Sequence, residues 1–307
     1  MKRRESRYNG VLIVDKPAGF TSFDVVAKLR GILQERRIGH GGTLDPMATG
    51  VLPVFVGGAT RAADMAAAQA KEYIAAFALG YATDTQDSTG TEIARSPRTA
   101  QESEVRAAVE HMHGQQLQLP PMYSAVKVNG QRLYDLARRG VEVERTPRPI
   151  TVHEAELLAF DGQEQCGTLR VLCSKGTYVR TLIHDLGERL GTYAVMTALR
   201  RTKSGRYTLE RAYGLEDIER AAQTDTVKQL LLPTDSLFAA YPAVFIDDYG
   251  LERAQNGAFI APEHVTDMPM QAGALCRVYH NDTFWMLGRV DRLKRGGLAL
   301  FYEKRFR

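Results

Sequence analysis

A glycine-rich stretch, Gly39-His40-Gly41-Gly42-Thr43-Leu44-Asp45-Pro46-Met47-Ala48-Thr49-Gly50, holds one histidine and one aspartate between two hydrophobic segments, the second being Val51-Leu52-Pro53-Val54-Phe55-Val56. A carboxylate on so permissive a backbone, at the edge of what reads as a buried strand, stands where catalytic groups concentrate: on a loop carried by a rigid scaffold. Asp-Pro also starts ordinary turns and glycine clusters mark tight connections, so elimination carries the argument further than spacing. The stretch has no Gly-x-Gly-x-x-Gly after a strand, no Gly-Lys-Ser/Thr phosphate cradle and no Gly-x-Ser-x-Gly elbow. What remains is a carboxylate acting largely on its own.

Metal and disulfide chemistry find little support. Cys166, Cys173 and Cys276 make an odd count without Cys-x-x-Cys spacing, so buried thiols are expected. His111 and His113 lie two apart in a segment that reads as helix and therefore point in different directions. No metal and no cofactor is expected.

The elements that would position Asp45 follow from periodicity. Gly10 to Val14 reads as a strand, and Ser22 to Leu33 as a helix with Phe23, Val26, Leu29 and Leu33 at helical spacing and Thr21 and Asp24 as a capping box. An Ala-rich helix over residues 59 to 70 leads into a strand from Tyr73 to Leu79. Then come helix 101 to 112, strand Ala125 to Val128, helix Leu133 to Arg138, strands Ile150 to Phe160 and Thr168 to Cys173, helix Tyr178 to Leu190 and strand Tyr193 to Leu199. Residues 139 to 149, rich in charge and proline, read as an exposed insertion or arm. Pro233 begins a change of texture, with a short helix near Tyr249 to Gln255, strands Leu275 to Tyr279 and Phe284 to Val290 joined at His280-Asn281-Asp282, and a basic tail. The pattern predicts an α+β or mixed α/β protein, a mixed sheet covered by helices, with a small β-rich C-terminal domain.

At 307 residues, 44% hydrophobic and 25% charged, the chain suits two globular domains. No run of about eighteen apolar residues occurs, and Met1-Lys2-Arg3-Arg4-Glu5-Ser6-Arg7 opens no secretory segment, so a cytoplasmic protein without membrane contact is expected. A net charge of +4 is modest, but the cations cluster. Arg289, Arg292, Lys294, Arg295, Lys304, Arg305 and Arg307 form one group, Arg200, Arg201, Lys203, Arg206 and Arg211 a second, and Lys127, Arg132, Arg138, Arg139, Arg145 and Arg148 a third, with Tyr134 among them. Together with the basic N-terminus they point to a polyanion, for which nucleic acid is the natural candidate.

These residues resemble the bacterial tRNA pseudouridine-55 synthases, the TruB family, over nearly the whole chain. Gly10-Val11-Leu12-Ile13-Val14-Asp15-Lys16-Pro17-Ala18-Gly19-Phe20-Thr21-Ser22 is similar to the family's opening motif, and Gly39 to Gly50 to its catalytic motif. Lys71-Glu72-Tyr73, Thr83-Asp84-Thr85-Gln86-Asp87, Pro120-Pro121-Met122-Tyr123-Ser124-Ala125-Val126-Lys127, Ser174-Lys175-Gly176-Thr177-Tyr178-Val179-Arg180 and Leu199-Arg200-Arg201-Thr202 follow in the family's order. One departure is Val195, where family members often carry a histidine.

The resemblance implies an α+β fold: a pseudouridine synthase catalytic domain with a mixed, largely antiparallel sheet over residues 1 to 232, a thumb-like RNA-binding insertion at 124 to 152 and a PUA-like RNA-binding domain at 233 to 307. It implies isomerisation of uridine 55 in the tRNA T loop, with Asp45 as the catalytic aspartate. Tyr73 would stack on the target base, Arg180 would pair with Asp45 in the empty site, Tyr178 and Leu199 would line the pocket, His40 would sit where the nucleotide flips out, and Lys16 would support the site from the first strand. The partner would be the T arm of tRNA, met by a monomer that needs no protein partner. A noncatalytic tRNA-binding or RNA-folding protein and a guide-RNA-dependent synthase are the alternatives. The presence of Asp45 argues against the first, and the short C-terminal domain without long lysine-rich tails against the second.

Overall fold

The computed structural model describes residues 6–128 and 130–306. Most of the basic N-terminal segment, and Arg307 of the basic tail, lie outside the described residues. The chain begins with β1 (Gly10–Lys16), α1 (Ser22–Leu33), β2 (Ile38–His40) and β3 (Thr49–Val56), and a 3-10 turn and the short α2 (Ala63–Ala67) lead to β4 (Lys71–Leu79). The Ala-rich segment thus forms less regular helix than its composition suggests. A small hairpin of β5 (Tyr81–Thr83) and β6 (Glu92–Arg95) precedes α3 (Glu102–Glu110) and β7 (Gly114–Gln118). The insertion contributes the two-residue strands β8 (Lys127–Val128) and β9 (Gln131–Arg132) and helix α4 (Leu133–Ala137). There follow β10 (Arg148–Asp161), β11 (Cys166–Cys173), α5 (Val179–Leu190), β12 (Ala194–Ser204), β13 (Tyr207–Thr208), α6 (Leu215–Gln223) and α7 (Val227–Leu230).

The main sheet has the order β1-β3-β12-β4-β11-β10-β7, with β2 beside β3 and β13 beside β12. Every pairing is antiparallel except β3 with β12. Sequence pattern and covering layers agree. In β1 and β3 the apolar run is continuous because both faces are covered: Leu12, Val14, Leu52 and Val54 pack under α1 and α6, while Val11, Ile13, Val51 and Phe55 pack against Leu237, Phe238, Leu287 and Phe306. In β4 the pattern alternates, with Tyr73, Ala75, Phe77 and Leu79 in a core shared with α3 and α5. On the solvated side Arg170 pairs with Glu72, Glu154 and Glu156.

Residues 243–305 hold a five-stranded sheet of order β15-β14-β16-β17-β18, made from β14 (Ala243–Ile246), β15 (Val265–Thr266), β16 (Leu275–His280), β17 (Thr283–Arg292) and β18 (Leu298–Arg305), with helix α8 (Asp248–Gln255) between β14 and β15. Much of the expected basic tail is therefore the closing strand β18, paired along β17. Arg289 meets Glu303, Lys304 reaches Asp64 of α2, and Arg305 donates to the Gln255 carbonyl, leaving Arg292, Lys294 and Arg295 exposed near the hairpin tip. Among the described residues no helix is long and apolar enough to cross a membrane.

Candidate active site

Asp45 lies on the loop between β2 and β3, and the local sequence explains why the loop holds its shape. Gly50 has φ +101°, and a Cβ there would lie 2.2 Å from the Arg201 carbonyl oxygen, because β3 and β12 make their parallel contact at this point. A Cβ at Gly41 would meet Ala66 and the Phe55 ring at 2.9 Å. Capped by Thr21 and Asp24, α1 begins at Ser22, whose hydroxyl accepts from the Leu44 amide at 2.8 Å and donates to the Leu44 carbonyl at 3.3 Å. On the other side of Asp45, the Pro46 carbonyl accepts from Lys16 Nζ at 3.2 Å and from the Gly19 amide at 2.9 Å.

Lys16 is fully buried and also donates to the carbonyls of Pro17 and Phe20 at 2.9 and 2.5 Å, which satisfies all three ammonium protons. Burial lowers its pKa to about 8, with the nearby Asp45 charge opposing that effect. The lysine therefore stands one residue from the aspartate through the backbone it holds.

Arg180, in the first turn of α5, is the cation closest to Asp45: Nη2 lies 3.5 Å from Asp45 Oδ1 and Nη1 lies 3.5 Å from Asp87 Oδ2. Its shortest bond, 2.6 Å, goes from Nη2 to the Tyr123 carbonyl. Both separations from carboxylate exceed the 2.7–2.9 Å of a tight charge-assisted bond. The guanidinium is thus divided between two acids and docks closely on neither. Asp87 is buried, and its Oδ1 accepts from Thr85 Oγ1, the Thr89 amide and Thr89 Oγ1, fixing the carboxylate that faces Arg180. Asp45 keeps 32% of its side chain exposed, in contrast to 5% for Asp87. Burial raises the Asp45 pKa above the usual carboxylate value, Arg180 pulls it back, and the Asp87 charge raises it.

The remaining predicted residues surround this pair unequally. Tyr73 is 8% exposed and packs in the core with Leu44, Ala48 and Leu199, so it forms a wall with little free ring surface. Its hydroxyl pKa is raised, chiefly by burial, with the Asp45 charge among the smaller causes. Tyr178 caps α5 with its peptide gripped from both sides by Gln118, which accepts from Tyr178 N at 2.8 Å and donates to Tyr178 O at 3.0 Å. The Arg180 guanidinium carbon lies 5.8 Å from the Tyr178 ring centre. His40 is half-buried at the end of β2, and burial, helped by the Arg201 charge, lowers its pKa, so it is neutral at neutral pH. Val195, at the family departure, is fully buried.

Residue-by-residue reading assigned no role to Asp87, Gln118 or Ser22, and counted Arg201 only among the cations expected to meet a polyanion. Asp87 stands in a stretch singled out as a motif, but its task depends on a partner in α5 far along the chain. Arg200 and Arg201 read as one basic pair, whereas in β12 they face opposite ways: Arg200 meets Asp15 at 2.8 Å at the surface, and Arg201 is 1% exposed and unavailable to a polyanion.

The site is a carboxylate on a clamped glycine-rich loop of a mixed sheet, sharing a divided arginine with Asp87 and set beside a tyrosine and a leucine. The class of protein that carries it, the pseudouridine synthases, follows from its relatives. The chain superposes with TM-score 0.73 on a protein of the archaeal box H/ACA sRNP Nop10–Cbf5 complex (27% identity, 100% of this chain, 89% of that one) and, with the same score and identity, on one from an H/ACA RNP bound to a substrate RNA containing 2′-deoxyuridine (97% and 85%). Residues 30–179 match the model of the TruB family pseudouridylate synthase N-terminal domain, and residues 180–239 that of the tRNA pseudouridylate synthase B C-terminal domain. The chain is 45% identical over 281 residues to the tRNA pseudouridine synthase B of Lactiplantibacillus plantarum (89% of this chain, 92% of that protein) and 44% identical over 260 residues to that of Bacillus cereus (83% and 85%). It belongs to the TruB family.

Proposed function

We propose that this protein isomerises uridine 55 in the T loop of tRNA to pseudouridine, with Asp45 as the essential carboxylate. The observation that carries this reading is the position of Asp45: partly open to solvent, 3.5 Å from a buried arginine, on a loop whose flanking peptides are held by Ser22 and Lys16. The names and high coverage of the tRNA pseudouridine synthase B relatives support tRNA as substrate.

The reaction breaks the bond from N1 to C1′, turns the uracil and rejoins it through C5, releasing the C5 hydrogen as a proton and leaving the composition of the nucleotide unchanged. It needs no redox partner and no external energy. Asp45 acts on the base or the sugar as nucleophile, or assists departure of the base and moves a proton; each requires the ionised form, which Arg180 favours against burial. Extracting the base costs a few kcal/mol, least in a bent loop where the target is already half unstacked. Stacking against Tyr73 returns about 1–3 kcal/mol if closure of the site exposes its ring. Tyr178 and Leu199 bound the pocket, and neutral His40 lies where the nucleotide leaves its stack.

The insertion at 124 to 152 supplies phosphate contacts: Arg132 and Arg138 flank Tyr134 at 5.7 and 5.6 Å and remain exposed. The C-terminal sheet serves as the PUA-like module docking on distant RNA, and the enzyme acts in the cytoplasm as a monomer without metal, cofactor or protein partner. Tritium release from C5-labelled uridine tests the reaction. A tRNA transcript and an isolated T-arm hairpin should both release label, whereas equal release from unstructured RNA would reject the substrate assignment.

A further inference from the structure

Resting on the reading of Asp45 as the catalytic carboxylate, we propose that Arg201 and Ser22 are positioning residues that fix the loop carrying it. One guanidinium closes the loop: Arg201 Nη2 donates to Gly42 O at 3.1 Å, Nη1 to Thr43 O at 3.3 Å and Nε to Val51 O at 2.7 Å. The first two carbonyls precede Asp45 and the third follows it, so the planar fork holds both limbs of the loop at a fixed separation. A lysine, with one donor centre on a flexible stem, cannot span the same three acceptors. Among the described residues no carboxylate lies within ion-pair distance of Arg201, whose buried charge is met by three main-chain oxygens and by the Tyr73 hydroxyl. A buried unpaired cation costs stability, and such costs persist where geometry serves function.

Ser22, 1% exposed, completes the clamp by holding both the amide and the carbonyl of Leu44, the residue before Asp45. The sheet adds a fixed base. Arg201 pairs in register with Gly50, where even a methyl group would strike the Arg201 backbone. Asp45 is left with its side-chain torsions as its main freedom, which is the preorganisation needed by a carboxylate that acts while the uracil is detached and turned. Neither residue is placed to touch RNA. The charges acting most on the Asp45 carboxylate are those of Arg180, Asp87 and Lys16.

The test compares Arg201→Lys and Ser22→Ala with the wild type in single-turnover pseudouridine formation at saturating tRNA, tRNA affinity, the acid limb of the pH–rate profile and thermal melting. A misplacement on the order of 1 Å predicts an about 100-fold slower step for Arg201→Lys and an about tenfold slower one for Ser22→Ala, with affinity within about threefold of wild type. The acid limb should stay where it is. Wild-type rates in both variants, affinity falling in parallel with rate, or a displaced acid limb would overturn the positioning role. Should Arg201→Lys fail to fold, Ser22→Ala, which removes a single hydroxyl, decides alone. A wild type that forms no pseudouridine would remove the catalytic reading of Asp45 instead. Hydrogen exchange at the Leu44 and Ala48 amides, faster in both variants if the clamp exists and unchanged if it does not, then still reads the clamp.

Discussion

Arg180 stands equidistant from Asp45 and Asp87, and that division makes the two carboxylates separable by mutation. In the fold the Asp45 pKa lies above its unfolded value, so the folded state holds the proton more tightly. The stability this group contributes is present below the unfolded value, about pH 4, and is lost as pH rises through the folded value. At neutral pH ionised Asp45 is therefore a net cost. Asp45→Asn removes that cost while Arg180 keeps Asp87 and the Tyr123 carbonyl, so its melting temperature should equal or exceed that of the wild type while pseudouridine formation is lost and tRNA affinity is retained. A lower melting temperature in a calorimetric scan would refute the assignment of strain to the aspartate. Arg180→Gln should do the reverse. It leaves Asp87 buried without its cation, a loss of about 3–5 kcal/mol, and it moves the acid limb of kcat/KM to higher pH, because the group that lowers the Asp45 pKa is gone. An acid limb at its wild-type position would show that Asp45 ionisation does not govern it.

The elements show which features a sequence can reveal. Thr21 and Asp24 announce the start of α1 because a capping box is a local motif, and the alternation of β4 announces a strand covered on one face. The loop between β2 and β3 was legible because glycine and proline punctuate it. By contrast Gly114–Gln118 is an edge strand whose polar residues give no apolar signal, and Leu298–Arg305 reads as a charged tail because its ladder is supplied by β17. The tasks of Asp87 and Arg201 were hidden because they consist of contacts between distant elements, and adjacent basic residues in a strand face opposite ways. The β3–β12 contact gives a direct test. Gly50→Ala places a methyl group against the Arg201 backbone at a φ of +101° and should destabilise the protein by more than about 2 kcal/mol in urea unfolding. A change under about 0.5 kcal/mol would mean that the two strands separate easily there.

At the scale of the molecule, the C-terminal sheet is joined to the main sheet through one apolar core in which Phe238, Leu287 and Phe306 meet Val11, Ile13 and Phe55. Arg206 donates to the Ser236 carbonyl at 2.5 Å and Lys304 holds Asp64, adding polar ties across the same contact. Removing residues after Pro233 would uncover that core, so a truncation confounds docking with folding. Surface charge is the cleaner variable. Replacing Arg292, Lys294 and Arg295 with Gln should weaken tRNA binding and reduce the slope of log affinity against log salt by about two units, each phosphate contact accounting for somewhat under one unit. An unchanged slope would place the docking surface elsewhere.

The central claim, that Asp45 performs an isomerisation at one uridine of tRNA, is tested most directly by mapping pseudouridine along a full-length tRNA transcript after reaction with the wild type and with Asp45→Asn. The account predicts pseudouridine at position 55 with the wild type and none with the variant, at protein concentrations where both bind the transcript. Modification confined to another arm, or substantial turnover by Asp45→Asn, would contradict it.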